Sequence, residues 1–211
     1  LNGGSVRSSV EIGSRMPPLC GVVLAGGYSR RMGVDKAMLN YHGRPQLSWA
    51  REVLLRVVSP VFVSCREDQC AAFDFLPQDS LICDRFLNCG PMGGLATVLA
   101  EVPGTAVLAV ACDLPFLTSE LLTELLHLRD VSSKATVFRG RALEPLCAIY
   151  EPAILADFIE SLERGEYALH KKLTELNCNV IELESVEALT NINDRESFDI
   201  ARANILSGVA L

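Results

Sequence analysis

A short apolar strand that runs directly into a glycine-rich, cation-bearing loop is the most constraining feature of this sequence. Residues 22–24 (VVL) form an apolar run without polar alternation, which is typical of a strand buried on both faces of a parallel sheet. Gly26 and Gly27 follow, and without side chains there the backbone N–H groups can approach a phosphate closely. A hydroxyl and three cationic side chains come next: Ser29, Arg30, Arg31 and Lys36. The stretch therefore predicts a polyphosphate site where a buried strand ends.

Two well-known phosphate-binding loops do not fit this spacing. No G-x-x-x-x-G-K-[ST] segment follows the strand, and the glycines are not spaced G-x-G-x-x-G, so the loop is neither an NTPase P-loop nor a dinucleotide fingerprint. The pattern of residues 24–36 is L-A-G-G-x-S-x-R-M-G-x-D-K. In this order and spacing it resembles the loop of the MobA-like nucleotidyltransferases, particularly the molybdenum cofactor guanylyltransferases. The resemblance indicates nucleotidyl transfer.

The resemblance implies an α/β fold, namely the three-layer Rossmann-like nucleotidyltransferase fold with a mostly parallel sheet and an antiparallel edge. The length of 211 residues, 49% of them hydrophobic, supplies enough core for one such domain, which we expect at residues 19–211. Residues 135–138 and 146–150 are predicted strands joined by a charged turn, and we expect them to pair antiparallel. Residues 1–18 are polar and rich in glycine and serine, which predicts a disordered lead-in.

Composition excludes several classes of function. The formal net charge of -7 argues against a general nucleic-acid surface, and no apolar run approaches the roughly 20 residues that cross a bilayer. None of the eight cysteines forms a C-x-x-C pair and the three histidines lie far apart in the sequence, so neither a zinc knuckle nor a histidine metal site is predicted. We therefore expect a cytoplasmic protein with reduced thiols that binds neither nucleic acid nor membrane.

Polar side chains end three further predicted strands. Ser64 ends one apolar run, Asp84 follows a second, and Asp113 follows the longest, residues 106–112 (AVLAVAC). Because ligands of doubly wound sheets gather at the carboxyl ends of strands, we expect Ser64 and the adjacent Cys65 to face the same crevice as Gly26. An aspartate at the end of a central strand is costly unless a cation meets it, and Mg²⁺ carried by a nucleoside triphosphate is a natural partner. Asp113 is therefore the candidate metal ligand.

Three later segments leave alternatives open. The glycines of residues 90–94 either permit close approach of a base or ribose or simply punctuate a loop. Asn191 and Asn193 are either cap and turn residues before a helix, for which Asp194 is the predicted N-cap, or contacts that point to one side of an extended segment. A predicted helix exposes three further polar residues: His170, Lys171 and Lys172. These are either a solvated face or contacts to an anionic substrate.

The resemblance also implies roles for individual residues. It places the nucleotide against nine residues: Leu24, Ala25, Gly26, Gly27, Lys36, Ser64, Asp84, Gly94 and Asp113. Lys36 and Arg31 would neutralise charge on the triphosphate and Asp113 would hold Mg²⁺, which makes these three the catalytic candidates. Asn191 and Asn193 would contact the pterin substrate.

The implied activity is the transfer of GMP from GTP to the terminal phosphate of molybdopterin, with release of pyrophosphate. Positioning and charge stabilisation would carry this reaction, because the attacking phosphate is already ionised at neutral pH. One alternative is a cytidylyltransferase of the same superfamily that acts on molybdopterin or another phosphorylated acceptor, and another is a non-catalytic nucleotide-binding regulator. We also expect transient contacts with other cofactor-biosynthesis proteins or with the acceptor molybdoenzyme.

Overall fold

The computed structural model describes residues 16–27, 35–192 and 194–207. Residues 1–15 of the predicted lead-in lie outside this part, so their disorder stays a prediction. The last two residues of the predicted lead-in are held against the domain. The carbonyl oxygen of Pro17 accepts from Arg129 Nη2 (3.1 Å), and that of Pro18 accepts from Ala106 N (2.8 Å). No helix in the described ranges is long and apolar enough to span a membrane.

Within these ranges, seven strands form one sheet, and their bounds are β1 (Leu19–Leu24), β2 (Val61–Cys65), β3 (Leu81–Cys83), β4 (Ala106–Ala111), β5 (Ala135–Arg139), β6 (Leu143–Tyr150) and β7 (Cys178–Glu182). The order across the sheet is β3-β2-β1-β4-β6-β5-β7. β6 pairs antiparallel with both β4 and β5, whereas the other neighbouring pairs are parallel. The predicted antiparallel pair is therefore confirmed, and β7 adds a parallel strand outside β5.

Seven α-helices connect the strands or follow them in the described chain: α1 (Gln46–Leu55), α2 (Glu67–Cys70), α3 (Gly90–Glu101), α4 (Ser119–His127), α5 (Leu155–Glu163), α6 (Leu169–Glu175) and α7 (Arg195–Ser207). Five short 3-10 helices accompany them: Lys36–Met38, Ala71–Phe73, Gln78–Ser80, Pro152–Ile154 and Glu187–Leu189. Helix α1 ends at Leu55, and the chain turns directly after it. The N–H groups of Val57 and Val58 both donate to Leu54 O (2.9 Å each), which closes a turn before Pro60.

Helices cover both faces of the sheet. α1 and α4 pack on one face in a core that includes Leu47, and α3, α5 and α6 pack on the other face in a core that includes Leu95. In β1, Val23 belongs to the first core and Val22 to the second, so this strand is buried on both faces as its apolar sequence predicts. The three-layer α/β fold is therefore confirmed.

The central strands bring their carboxyl ends to one edge of the sheet. Leu24, the last residue of β1, pairs in register with Ser64 of β2 and with Ala111 of β4. Cys112 N donates to Leu24 O (3.2 Å), which extends the pairing of β1 and β4 by one residue. The glycine turn after β1, the end of β2 and Asp113 after β4 consequently share this edge.

Candidate active site

Five of the predicted nucleotide-binding residues form one close group at the sheet edge, which we call the strand-end cluster: Leu24, Gly26, Ser64, Asp84 and Gly94. Ser64 Oγ donates to Asp84 Oδ1 (2.6 Å). A Cβ on Gly94 would lie 2.5 Å from Ser64 Oγ and 3.5 Å from Leu24 Cδ2, and a Cβ on Gly26 would collide with Asp84 Oδ2. The packing therefore favours glycine at both positions, because an added side chain would have to displace Asp84 or Ser64.

The Asp84 carboxylate is the polar centre of the strand-end cluster. Burial raises its pKa above the ordinary value for aspartate, while the hydrogen bond from Ser64 and the charge of Arg66 oppose this shift. Oδ1 accepts from Ser64, and Oδ2 is the oxygen next to Gly26. The carboxylate thus presents one oxygen to β2 and the other to the glycine turn.

Lys36 and Asp113 form an ion pair just after the end of β4. Lys36 Nζ donates to Asp113 Oδ2 (2.9 Å), and both side chains are only 17% exposed. Asp113 Oδ1 is buried and has no hydrogen-bond partner among the described residues. Because an unpaired buried carboxylate oxygen is unfavourable, this atom makes Asp113 a candidate ligand for a cation. Burial, and after it the Asp113 charge, raises the pKa of the nearby Tyr41 hydroxyl.

Arg66 braces the glycine turn, although the sequence pattern did not single it out. Its Nη1 donates to Gly26 O (2.9 Å) and to Gly27 O (3.0 Å). Ala25, just before the glycines, donates its N–H to Ser64 O (2.8 Å). The turn is therefore held from the side of β2. The one signal in the sequence is an arginine that directly follows this strand.

Residues 25–35, which we call the phosphate turn because the sequence predicts phosphate contacts there, are described only at their two ends. Residues 28–34, which include Arg31, lie outside the described residues, so the role of Arg31 stays a prediction. The described chain resumes at Asp35, directly before the 3-10 helix Lys36–Met38. This helix returns the chain to the sheet edge and brings Lys36 to Asp113.

The segment predicted to contact the pterin lies beside Asp113. Ile192 N donates to Asp113 O (3.2 Å), and Asn191 is exposed. Asn193 lies outside the described residues, so its role stays a prediction. Asp194 caps α7 as expected, because its Oδ1 accepts from Ser197 N (2.9 Å).

The contacts of the polar residues of α6 favour their interpretation as a solvated face. His170 and Lys171 are exposed, and Lys171 Nζ lies 3.8 Å from Glu175 Oε1, one helical turn away. Such a pair is typical of a solvated helix face.

Asp113 is the metal-binding candidate that the described residues supply. These residues contain no group of three or more His, Cys, Asp or Glu side chains placed to hold one ion. The site nevertheless fits a hard cation such as Mg²⁺, which is usually held by one or two carboxylates while substrate phosphates and water supply its other oxygen ligands. The unpartnered Oδ1 of Asp113 is the atom suited to this contact.

Comparison with known sequences finds relatives over most of the chain. The chain is 33% identical over 186 residues to the molybdenum cofactor biosynthesis bifunctional protein of Synechocystis sp.. This alignment covers 86% of this chain and 53% of that protein. It is 34% identical over 185 residues to a probable molybdenum cofactor guanylyltransferase of Natronomonas pharaonis, covering 85% of this chain and 91% of that protein. The chain therefore spans about half the length of the bifunctional relative.

A solved structure has the same fold. It is the molybdopterin-guanine dinucleotide biosynthesis protein A from Archaeoglobus fulgidus, with a TM-score of 0.78 and 22% identity over 90% of this chain and 100% of that one. The sequence pattern of the MobA-like NTP transferase domain matches residues 21–178, a range that contains the glycine turn, the strand-end cluster and the Lys36–Asp113 pair. The chain therefore belongs to the MobA-like NTP transferase family.

Proposed function

We propose that the protein is a guanylyltransferase that transfers GMP from GTP to the terminal phosphate of molybdopterin and releases pyrophosphate. The observation that carries this proposal is the Lys36–Asp113 pair, with its unpartnered Asp113 Oδ1, at the same sheet edge as the glycine turn. Relatives named molybdenum cofactor guanylyltransferase support the choice of substrates. The product would be the guanine dinucleotide form of the molybdenum cofactor.

The strand-end cluster would receive the nucleoside of GTP. Gly26 and Gly94 add no side chains there, and Asp84 provides a carboxylate, which when ionised only accepts hydrogen bonds. Guanine carries two neighbouring donors, N1–H and the N2 amino group, whereas cytosine carries one amino group. The carboxylate therefore supports guanine over cytosine.

The triphosphate would lie over the backbone N–H groups of Gly26 and Gly27, with Lys36 and Arg31 neutralising its charge. Lys36 is suited to exchange Asp113 for a phosphate oxygen, because it carries a compact charge on a flexible stem. Asp113 would hold Mg²⁺ through Oδ1. When bound, this ion draws negative charge from the phosphates of GTP.

In the reaction, an ionised oxygen of the molybdopterin phosphate attacks the α-phosphorus of GTP. A new P–O bond forms while the bond from the α-phosphorus to the bridging oxygen breaks, and the electron pair leaves with pyrophosphate. No protein base is needed, so the chain contributes positioning and charge stabilisation. Asn191 and Asn193 would contact the pterin, since Ile192 between them is bonded to the Asp113 backbone.

Two expectations about the cellular setting belong to the same proposal. We expect the protein in the cytoplasm, where it would meet GTP. We also expect it to pass its product, through transient contacts, to other cofactor-biosynthesis proteins or to the acceptor molybdoenzyme. Cell fractionation and cross-linking in intact cells would test these two points.

Pyrophosphate release tests the proposed reaction when it is measured with each of the four ribonucleoside triphosphates, with and without molybdopterin and Mg²⁺. We expect release only when GTP, molybdopterin and Mg²⁺ are present together. Mass spectrometry should then show the pterin heavier by one GMP unit. A preference for CTP would replace the proposal with the cytidylyltransferase alternative, and nucleotide binding without any release would indicate a regulator.

A further inference from the structure

Gln69 is a buried amide beside the phosphate turn. It lies in α2, directly after β2, and is only 3% exposed. Its Nε2 donates to Ala25 O (3.1 Å) and to Asp35 Oδ2 (2.6 Å), and its Oε1 accepts from Arg66 N (3.1 Å). The side chain thus uses both of its N–H donors and its oxygen.

The two acceptors of Gln69 Nε2 lie at the two ends of the phosphate turn. Ala25 comes directly before the glycine pair, and Asp35 comes directly before Lys36. Asp35 also caps the 3-10 helix that carries Lys36, because its Oδ1 accepts from Ala37 N (3.0 Å). One buried amide therefore connects the strand side of the turn to the helix that carries the lysine.

We propose that Gln69 is a positioning residue of the nucleotide site. It holds both ends of the phosphate turn, so that the backbone N–H groups after Ala25 and the Lys36 cation meet the same triphosphate. Gln69 touches no substrate and acts through Ala25 and Asp35. The inference rests on the proposed function only in requiring that a nucleoside triphosphate binds at this turn.

The chemistry of the contact explains why the residue is glutamine. An amide offers two donors and one acceptor at the end of the side chain, which matches the three partners of Gln69. A glutamate of the same length would offer no donor and would place a second carboxylate against Asp35. Exchanging Gln69 and Asp35 therefore restores their mutual contact but not the contact with Ala25 O, which separates the two halves of the bridge.

The substitutions Gln69→Glu and Asp35→Asn, alone and together, make this exchange. Each single change removes the pairing of donor with carboxylate, so we expect the affinity for Mg·GTP to fall and KM for GTP to rise by about tenfold, the size expected when a hydrogen bond to a charged group is lost. The double variant restores an amide facing a carboxylate and keeps the net charge, but the new carboxylate still offers no donor to Ala25 O. We therefore expect it to bind no better than Asp35→Asn, because the strand side of the turn is no longer held.

The matched control is Thr136→Val. It removes another buried side-chain hydrogen bond, from Asp130 N to Thr136 Oγ1 (3.0 Å), on β5, which β4 and β6 separate from β1. We expect this change to lower Tm without altering KM for GTP. If Gln69→Glu does not fold, Gln69→Met, which keeps the side-chain length without polar groups, should show the same loss of affinity.

Wild-type affinity and KM in the folded single variants, or full recovery in the double variant, would overturn the inference. Binding is measured with each of the four nucleoside triphosphates. A protein that binds one of them without transferring GMP would contradict the proposed function, while the Gln69 inference is still tested on the nucleotide that binds. Failure of the wild-type protein to bind any of the four would overturn both.

Discussion

Lys36 and Asp113 form an ion pair with each other, and each has a different partner in the proposed complex. The lysine compensates the charge of a largely buried carboxylate. The pair also holds the lysine amine at the sheet edge, where an incoming triphosphate can take it over. At the scale of single residues, the site is therefore prepared for an exchange of ion pairs, and each partner can be tested separately.

Replacing Lys36 with alanine should weaken GTP binding and slow GMP transfer together. A cation that meets the triphosphate acts in both the ground state and the transition state, so we expect kcat/KM to fall by about 10²–10³-fold, with the loss divided between KM and kcat. Steady-state kinetics measures this division. Lys171→Ala, which removes an exposed cation paired with Glu175, is the control and should behave as wild type. Unchanged affinity and rate in Lys36→Ala would exclude the lysine from the site.

The start of α3 is packed against the end of β2. Gly94 lies in the second turn of this helix, at a position where alanine would normally be favoured by up to about 1 kcal/mol. Here the packing favours glycine because Ser64 Oγ occupies the space that a Cβ would need. At the scale of elements, the contact between helix and strand therefore overrides helix propensity.

Gly94→Ala should consequently destabilise the protein by about 1–3 kcal/mol, the usual cost of overpacking, and should lower nucleotide affinity by displacing the Ser64–Asp84 pair. Adding Ser64→Ala removes the colliding oxygen, so we expect the double variant to unfold at a higher temperature than Gly94→Ala alone. Thermal unfolding measures both effects. A Gly94→Ala variant with higher stability and unchanged nucleotide affinity would show that α3 is not packed in this way.

The strand ends could be predicted from the sequence because each apolar run stops at a polar residue. Ser64, Asp84 and Asp113 all follow this rule, and a mostly parallel sheet brings such ends to one edge. The roles of Arg66 and Gln69 could not be predicted in this way. Their partners in the glycine turn lie about forty residues earlier, and no local pattern marks a contact over that separation. The position of β7 beyond β5 likewise depends on pairing between distant segments.

At the scale of the whole molecule, an acidic protein is proposed to bind two polyanionic substrates. The net charge of -7 opposes this association in general, but solvent and salt screen charges that lie beyond about 10 Å. Binding therefore depends on local cations and backbone N–H groups at the sheet edge. Two strands buried on both faces, β1 and β4, end beside each other there, and they give these groups a rigid support.

The central claim is that the Asp113 carboxylate and the glycine turn bind the same magnesium nucleotide. The most direct test is to measure how GTP binding and GMP transfer depend on Mg²⁺ in the Asp113→Asn variant. Asparagine keeps the size of the side chain but removes the charge that would hold the ion. Asp199→Asn, at an exposed carboxylate near Arg195, is the matched control.

We expect Asp113→Asn to fold, with a lower Tm because Lys36 loses its charged partner. The variant should lose the Mg²⁺-dependent gain in GTP affinity and transfer GMP about 10³-fold more slowly, since a metal ion supplies several kcal/mol of charge stabilisation. The control should match the wild-type protein in all three measurements. Near-normal, Mg²⁺-dependent transfer by Asp113→Asn would contradict the assignment of this site.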